Sequence, residues 1–319
     1  FGALALLTGS GFAQEAAPQV ASIIHAGRLL ADPATGRITT EQSILVGADG
    51  RIIGVEAGYV TRGDARIIDQ RDRFVLPGLI DSHVHLSGEL GPNQLIEEVT
   101  LTASDAALRG AQNARTTLLA GFTTVADLGA ANDSIFALRR AIAEGRVPGP
   151  RIIASGFSIT PDGGHGDANG FSPDVIDVLR SPSACSGADA CRRAVRRQIQ
   201  AGADVIKITA TGGVLSNTAA GVEQQFSDEE LRAIVEAAHA MGRRVTAHAH
   251  GAGGINAALR AGVDSIEHGS YIDRESVRLL RQGNRYHVPT LLAGWWVGRL
   301  AEQGGVLTPA QTAKARQVS

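Results

Sequence analysis

Four short apolar segments of this sequence carry side chains that could bind a metal ion and activate water. The first is residues 76–86, in which His83 and His85 flank Val84. Because side chains alternate between the two faces of an extended strand, both imidazoles should point the same way near its C-terminal end. Two histidines on one face can share a metal ion, although a His-x-His pair on a buried strand also arises by chance.

A lysine and three further histidines mark the other three segments. Lys207 lies inside the β-branched run 205–209, where an unpaired ammonium group would be costly to bury. His248 and His250 end the next segment, and His268 ends the last. Helical sequence separates these segments, and parallel α/β barrels place their functional groups at the C-terminal ends of the strands. The order of the segments therefore predicts that these groups meet at one end of a barrel.

The ordered set of motifs resembles the amidohydrolase superfamily, in its prolidase-like and imidazolonepropionase-like branch. The motifs are HVH after PGLID, KIT followed by ATGG, then AHAHG and IEHGSY. The resemblance extends from about residue 20 to the end of the sequence. It implies an α/β fold, a (β/α)8 TIM-like metallo-hydrolase barrel with a small N-terminal β-sandwich module.

The resemblance also implies two divalent metal ions. By this correspondence His83 and His85 hold one ion, and His248 and His268 hold the other. Lys207, carboxylated on its amine by CO2, bridges them as a carbamate. Water is a poor nucleophile toward amides, and two ions would lower the pKa of a shared water and polarise the scissile carbonyl. Zinc best suits imidazole and oxygen ligands, and manganese or cobalt would also fit.

Lys207 and His250 are the candidate catalytic residues, and each has an alternative role. An ordinary ion pair with Asp204 or Glu267 is the alternative for Lys207. His250 shares a strand face with His248, so we expect it to face the site. There it could contact the substrate or replace His248 as a ligand.

Two loops are candidates for substrate binding. Residues 160–167 follow the third barrel strand, and their glycines would let the backbone and His165 approach a ligand closely. A solvent loop in which His165 has no role is the alternative. Tyr271 follows His268 closely and could donate a hydrogen bond to a substrate carboxylate or oxyanion. Packing in the core is the alternative for Tyr271.

The composition is that of an ordinary globular protein able to bury a large core. Of the 319 residues, 44% are hydrophobic and 19% charged, and the formal net charge is −2. Without a basic patch or run, the sequence argues against nucleic acid or a membrane surface as a partner. We therefore expect a small-molecule substrate, which the resemblance narrows to an amide or dipeptide, no membrane attachment in the mature form, and a homo-oligomer.

Residues 1–19 are interpreted as a signal-peptide remnant and leader. The apolar stretch 1–7 is followed by small and polar residues, as at the end of a secretory signal. A buried first helix is the alternative, but Gly2, Gly9 and Gly11 make a stable helix unfavourable. This interpretation predicts export to the periplasm or secretion.

Cys185 and Cys191 are the only cysteines, and they lie a few residues apart in a loop rich in small residues. In an oxidising compartment they could close a small loop as a disulfide. Metal ligation is the alternative, but a second cysteine pair or an adjacent histidine is missing. We favour the disulfide.

The remainder of the chain divides into two parts. Residues 20–73 contain short β-branched runs broken by Gly and Asp, with a hairpin signal at Asp49-Gly50, and predict a small β module. Residues 74–319 alternate strand and helix, which predicts parallel strands with right-handed crossovers. The expected strands are 75–86, 123–128, 151–159, 205–209, 245–250, 265–268 and 287–292. The clearest helices are 94–120, 191–201 and 228–241, the last with a Ser227/Glu230 capping box and a stop at Gly242.

Seven strands are one fewer than a closed barrel needs. In the resembled family the eighth strand carries an aspartate that binds the first metal and moves the proton. After His287 the only carboxylate is Glu302, and its helical setting does not suit that role. We therefore expect an incomplete (β/α)8 barrel, either a piece of a longer protein or a chain that is inactive as it stands.

The motifs favour a binuclear metal-dependent amidohydrolase that uses a metal-bridging hydroxide. Its expected substrate is a dipeptide such as Xaa-Pro or an N-acyl amino acid such as an ochratoxin. The loop GGHGD together with HGSY could hold a free substrate carboxylate. These motifs therefore favour a dipeptide or N-acyl amino acid hydrolase over a cyclic-amide hydrolase of the imidazolonepropionase type. A truncated, non-catalytic metal-binding fragment is the alternative from a different class.

Overall fold

The computed structural model describes residues 19–217 and 221–319. The chain divides into a first compact unit that ends at Gly78 and a second unit, Leu79–Ser319. Nearly all of the expected leader, residues 1–18, lies outside the described residues. In the part that is described, no helix combines the length and apolarity needed to cross a bilayer.

The first unit is a mixed four-stranded sheet. Its strands are β1 Val20–Asp32, β2 Arg37–Gly47, β3 Ile52–Ala57 and β4 Arg66–Val75, in the spatial order β3-β2-β1-β4. The predicted hairpin joins β2 to β3 through Asp49-Gly50, where Gly50 has φ +77°. Ala26, Leu29 and Ile44 form the buried core of this unit. Within the described residues the unit shows this one sheet, so the second layer of a β-sandwich stays a prediction.

The second unit alternates strands and helices, as expected for an α/β fold. Its strands are β5 Leu79–Val84, β6 Phe122–Asp127, β7 Arg151–Ala154, β8 Thr160–Pro161, β9 Ala184–Cys185, β10 Ile206–Thr209, β11 Val245–Ala249, β12 Ser265–His268 and β13 Tyr286–Val288. Its helices are α1 Gln94–Thr100, α2 Ala103–Leu119, α3 Asn132–Ala143, α4 Pro173–Leu179, α5 Ala188–Ala201, α6 Asp228–Ala240, α7 Ala252–Ala261, α8 Arg274–Gln282, α9 Leu291–Gln303 and α10 Pro309–Val318.

Seven of these strands follow one another in parallel. Pairing runs β5-β6-β7 and β10-β11-β12-β13, and β8 pairs separately with β9. A parallel bridge between Ile159 and Ile208 connects the two runs, because Ile159 N donates to Lys207 O at 2.8 Å and Thr209 N donates to Ile159 O at 3.0 Å. This arrangement matches the expected order of the parallel strands. A closed eight-stranded barrel stays a prediction.

Several elements have bounds that differ from those expected. The helix predicted over 94–120 is two helices, because Thr102 caps α2 by accepting from Asp105 N while the Asp105 carboxylate accepts from Thr102 N at 2.9 Å. The first barrel strand begins only at Leu79, after Pro77-Gly78, rather than at 75. The expected strand 287–292 ends at Val288, and α9 begins at Leu291.

The predicted start and stop of α6 are confirmed, whereas two other elements differ from the prediction at one end. Ser227 and Glu230 form the capping box that begins α6, and Gly242 follows that helix with φ +67°. The helix predicted over 191–201 begins somewhat earlier, at Ala188. Strand β7 ends at Ala154, short of the predicted 159, and only the single bridge at Ile159 continues it.

The register of the parallel strands separates a polar inner face from an apolar outer face. Lys207 pairs with Thr246 and Thr246 with Ser265, and His248 pairs with Glu267. Paired residues of neighbouring strands face the same side, so these polar groups form adjoining rows. The alternate residues are apolar and fully buried: Ile206, Ile208, Val245, Ala247 and Ile266. The polar rows lead to the C-terminal strand ends, where the histidines lie.

Candidate metal centre

Six histidine rings lie together at the C-terminal ends of the parallel strands. Neighbouring rings have centroids 4.3 to 5.2 Å apart. The six residues are His83, His85, His165, His248, His250 and His268. The structure therefore gathers every predicted histidine of the site, from four separate segments of the chain.

His83 and His85 face each other through nitrogens that lack protons. His83 Nδ1 lies 2.7 Å from Glu267 Oε2, and His85 Nδ1 lies 2.9 Å from Gly129 O. A carboxylate and a carbonyl only accept hydrogen bonds, so in each neutral ring Nδ1 carries the proton and Nε2 keeps a lone pair. The two Nε2 atoms are 3.3 Å apart. Two lone pairs at this distance repel unless a cation lies between them.

This separation fits a shared divalent metal ion. With Zn–N bonds of about 2.0–2.1 Å and tetrahedral angles, two imidazole ligands of one ion have nitrogens about 3.3 Å apart. Acceptors that hold the distal ring nitrogens are also the usual surroundings of histidine ligands. The donor pair His83 and His85 therefore fits a metal ion such as zinc.

The other strand-end histidines are also held through one ring nitrogen. His268 Nδ1 lies 2.7 Å from Thr290 Oγ1, and His250 Nδ1 lies 2.8 Å from Ser270 Oγ. The rings of His248 and His268 are 4.7 Å apart at their centroids. In residues 19–217 and 221–319, however, no three His, Cys, Asp or Glu side chains are placed to hold one ion together. The structure thus brings the predicted ligands close without a complete ligand sphere.

His268 reaches the cluster through an unusual backbone conformation. It is the last residue of β12 and has φ +69°, in the left-handed region that non-glycine residues rarely adopt. Glu267 already faces the interior, and strict alternation would turn the next side chain outward. The left-handed turn brings His268 inward as well. Two consecutive residues therefore both serve the site.

Burial keeps the site imidazoles neutral. Burial holds the pKa of His248 and of His268 well below the usual value, and it lowers the pKa of His250 to about 4. For His83 burial again lowers the pKa most, followed by the charge of Lys207. Neutral imidazole is the form that binds metal, so these rings are in the ligand form at neutral pH.

Lys207 is buried among these groups, with 4% of its surface exposed. Burial lowers the pKa of its amine to about 8, although the charges of Glu267 and Asp127 act in the opposite direction. The alternative partner Asp204 is hydrogen bonded elsewhere, to Arg139 and to Ala154 N. Of the two alternative partners considered, only Glu267 acts electrostatically on Lys207.

His165 lies at the edge of the cluster with one nitrogen unpaired. Its ring centroid is 4.3 Å from that of His248, and its backbone N donates to Gln225 Oε1 at 2.9 Å. Its Nδ1 is buried and has no hydrogen-bond partner. A Cβ on Gly213 would lie 2.3 Å from His165 Nε2, so only glycine fits there. A buried polar atom without a partner is the expected condition of a ligand-binding group.

Tyr271 does not direct its hydroxyl at the histidines. The hydroxyl donates to Gln317 O at 2.5 Å, and 38% of the residue is exposed. Its backbone N donates to His250 O at 3.0 Å, which keeps it beside the site. A hydrogen bond from Tyr271 to a substrate, which stays a prediction, requires that the bond to Gln317 is exchanged. Tyr271 is also not a core residue.

The histidines left outside the prediction have partners of their own. His25 lies 2.9 Å from Val60 O, and His239 Nε2 lies 2.9 Å from Asp264 Oδ2. His287 Nε2 donates to His268 O at 3.0 Å, a partner that the sequence did not reveal. Their contacts are structural, and none of the three joins the ring cluster.

Three polar residues at the site were missed or given another role from the sequence. Glu267 appeared only as a possible partner of Lys207, whereas it contacts His83. Asp127 is fully buried, accepts from Leu86 N at 2.8 Å, and has its pKa raised to about 6 by burial. Thr290 holds His268. The position of Asp127 at the end of β6 was the one available signal, because carboxylates at that end of a parallel strand are functional candidates.

Cys185 and Cys191 form a disulfide, which confirms the favoured pairing. The disulfide joins β9 to α5, and both of its cysteines are buried. Cys185 also pairs with Pro161 across the β8–β9 ladder, and Pro161 precedes the His165 loop. The disulfide therefore helps to fix the start of that loop.

A cavity of about 1050 Å³ lies elsewhere in the second unit and is partly open to solvent. Glu267 and Thr246 line it from the site side, and Arg151 and Arg244 line it near the N-terminal ends of the strands. None of the six histidines lines it. It is therefore not the place where the predicted substrate would meet the metal ligands.

Comparisons with known proteins agree with this geometry. The sequence profile of the Amidohydrolase family matches residues 74–309. Ochratoxinase from Aspergillus niger is 36% identical over 234 residues, which are 68% of this chain and 47% of that protein. This chain thus spans about half the length of the curated relatives it matches.

Two solved structures share the fold over nearly the whole chain. A Xaa-Pro dipeptidase with methionine bound in its active site has a TM-score of 0.86 and 36% identity, covering 93% of this chain and 73% of that one. A prolidase in complex with N-methylphosphonate-L-proline has a TM-score of 0.82 and 33% identity, covering 93% and 72%. This chain therefore belongs to the amidohydrolase family and is similar to its prolidase and ochratoxinase members.

Proposed function

We propose that the protein hydrolyses the amide bond of a dipeptide or an N-acyl amino acid with the help of two divalent metal ions. The observation that carries the proposal is the 3.3 Å separation of His83 Nε2 and His85 Nε2, together with the acceptors that each Nδ1 contacts, Glu267 Oε2 and Gly129 O. The proposal is further supported by relatives named for Xaa-Pro dipeptide and ochratoxin hydrolysis.

The proposed ligands are those expected from the sequence. His83 and His85 would hold one ion, and His248 and His268 the other. Lys207, as a carbamate, would supply an oxygen donor to both. When bound, such ions polarise a carbonyl and lower the pKa of water. The ions proposed are zinc, with manganese or cobalt as the other metals that suit these donors.

Lys207 is prepared for carboxylation by its surroundings. The lowered pKa leaves more of the amine neutral at physiological pH than for an exposed lysine. Only the neutral amine has the lone pair that forms the N–C bond with CO2, and the amine proton is released in the same reaction. The product is an anion with oxygen donors in place of a buried cation.

Residues beside the ligands would bind and orient the substrate. His165 Nδ1, buried and without a partner, is the candidate for holding the substrate carboxylate. His250 has one ring nitrogen fixed by Ser270, so its other nitrogen can contact the reacting group, either to bind the substrate or to move a proton. Tyr271 would add a second contact to the carboxylate if it exchanged Gln317 for the substrate.

Further properties of the whole protein are part of the proposal. The Cys185–Cys191 disulfide supports a periplasmic or secreted location, since such bonds persist in oxidising compartments. We also propose that the strands close into an eight-stranded barrel and that the protein assembles as a homo-oligomer.

Metal content and substrate selection test the proposal together. The purified full-length protein should contain close to two divalent ions by elemental analysis and should hydrolyse Xaa-Pro dipeptides or N-acyl-phenylalanines that carry a free carboxylate. A preference for cyclic amides would support the imidazolonepropionase-type alternative. Bound metal with no hydrolysis of either class would support the non-catalytic alternative.

A further inference from the structure

We propose that Glu267 is a positioning residue that decides which nitrogen of His83 carries the proton and thereby keeps His83 and His85 open for a metal ion. This inference rests on the metal site proposed above and concerns a residue outside the proposed ligand set.

Glu267 is buried and contacts three side chains that can donate hydrogen bonds. It is 1% exposed. One oxygen, Oε2, lies 2.7 Å from His83 Nδ1, and the other, Oε1, accepts from Thr246 Oγ1. The single proton of Ser265 Oγ has two acceptors within reach, Glu267 Oε1 at 2.9 Å and Thr246 Oγ1 at 2.8 Å. The carboxylate is therefore fixed in position before it contacts His83.

The carboxylate excludes one specific competing state of the histidine pair. A neutral imidazole has one N–H, which can sit on either nitrogen. If the proton of His83 were on Nε2, it would point at the lone pair of His85 Nε2, 3.3 Å away. The two rings would then satisfy each other by a hydrogen bond, and a metal ion would have to break it. Because Glu267 accepts from Nδ1, it retains the proton there and leaves Nε2 bare.

His83 and His85 differ in the kind of acceptor that holds their Nδ1 proton. His85 is held by Gly129 O, a backbone group that no substitution removes. His83 is held by a side chain from β12, whereas His83 itself lies on β5, and these strands do not pair in the described sheets. The Glu267–His83 bond thus links the strand of the first proposed ion to the strand that carries His268. The tautomer of His83 depends on one replaceable group.

Two substitutions distinguish the effect of the negative charge of Glu267 from the effect of its hydrogen-bond acceptor oxygen. Glu267→Gln keeps an oxygen acceptor and loses the charge, and Glu267→Met loses both at similar volume. Nitrogen-15 NMR of metal-free protein labelled at histidine reports the protonated nitrogen of His83. Competition with a chromophoric chelator reports the dissociation constant for Zn²⁺ alone.

We expect a graded result. In Glu267→Gln, His83 should keep its proton on Nδ1 while the Zn²⁺ dissociation constant rises about tenfold, and in Glu267→Met the proton should move to Nε2 with a rise of about a hundredfold. Glu275→Gln is the matched control, because it makes the same change at a half-buried carboxylate that pairs with Arg278 and does not join the histidine cluster. It should change neither measurement. Thermal unfolding of each variant shows whether it is folded.

Several outcomes would overturn the inference. A folded Glu267→Met protein with the proton still on Nδ1, or with wild-type Zn²⁺ affinity, would show that Glu267 is only a packing residue. If Glu267→Met does not fold, wild-type Zn²⁺ affinity in Glu267→Gln would overturn it instead. If the wild type binds no Zn²⁺, the proposed metal site fails, whereas the NMR comparison still decides whether Glu267 controls the tautomer.

Discussion

The metal side and the substrate side of the histidine cluster differ in how their polar atoms are held. On the metal side, three of the proposed ligands, and His250 beside them, have Nδ1 fixed by a hydrogen bond; these ligands are His83, His85 and His268. On the substrate side, His165 Nδ1 has no partner, and the Tyr271 hydroxyl is bound to a backbone carbonyl. The scaffold thus orients the ligands in advance, while the recognition groups can still change partners.

The largest effect is expected from removing a fixed ligand. His83→Ala and His268→Ala should each lose metal and activity together, with a loss in kcat/KM on the order of a thousandfold or more. The reason is that each variant removes a proposed ligand of one of the two ions, and these ions would lower the pKa of the attacking water. Elemental analysis and kinetics on the same samples measure this.

His239→Ala is the matched control for these variants. His239 bonds to Asp264 on the outside of the second unit and does not join the cluster. This variant should keep its metal and its activity. Full activity in thoroughly metal-free wild-type protein would contradict the metal mechanism as a whole.

The next effect concerns Lys207. Lys207→Ala should lose about a hundredfold or more in kcat/KM, because the oxygen donor shared by both ions is missing. Added acetate or propionate should restore part of the activity by entering the vacated space as a carboxylate. Lys207→Arg should show no recovery, since its guanidinium stays charged and fills that space. Unchanged turnover in Lys207→Ala would mean that the lysine is structural.

A stability measurement tests the electrostatics of the metal side without a substrate. The pKa of buried His250 is about 4 in the folded protein, against about 6.5 unfolded, so between these values the unfolded chain binds more protons. The contribution of neutral His250 to the free energy of unfolding is therefore fully present above about pH 6.5 and is lost as the pH falls toward 4. Metal-free protein should lose about 3 kcal/mol of unfolding free energy from this residue over that interval.

Denaturant titrations at several pH values measure this loss. His250→Asn removes the titrating group, so its stability should depend less steeply on pH over the same interval. If the unfolding free energy of wild type and of His250→Asn depends equally on pH, His250 is not buried as the neutral imidazole.

The two sides of the cluster also differ in how far the sequence predicts them. Strand alternation correctly predicted that His83 and His85 share one face, and the parallel order correctly predicted that distant segments meet. Both follow from regular backbone geometry. The inward turn of His268 could not be predicted in this way, because its left-handed φ breaks the alternation that the prediction uses.

Contacts between residues far apart in the chain could not be predicted from the sequence, for another reason. Glu267 reaches His83 across 184 positions, and Tyr271 reaches the backbone of Gln317 in α10. Neither contact follows from local periodicity, since each depends on how whole elements pack. The division of the predicted helix 94–120 at Thr102 could, in contrast, be predicted from the sequence. Thr102 and Asp105 have capping-box spacing inside the apolar pattern.

The smallest effect is expected on the substrate side, where it distinguishes His165 from Tyr271. If these residues hold the substrate carboxylate, a neutral amide in its place leaves polar groups unpaired, at a cost of about 1–3 kcal/mol per contact. Wild-type kcat/KM should then favour free acids over their amides by about tenfold to a thousandfold.

His165→Phe should remove most of that preference, because Nδ1 has no other partner to return to. Tyr271→Phe should reduce it less than about tenfold, since its hydroxyl exchanges one acceptor, Gln317 O, for another. Rates on matched acid and amide substrates measure both variants. Equal rates in the wild type would reject carboxylate capture and favour a cyclic amide as the substrate. A larger effect of Tyr271→Phe than of His165→Phe would reverse the roles assigned to the two residues, because the group that is already bonded would then be the one that recognises the substrate.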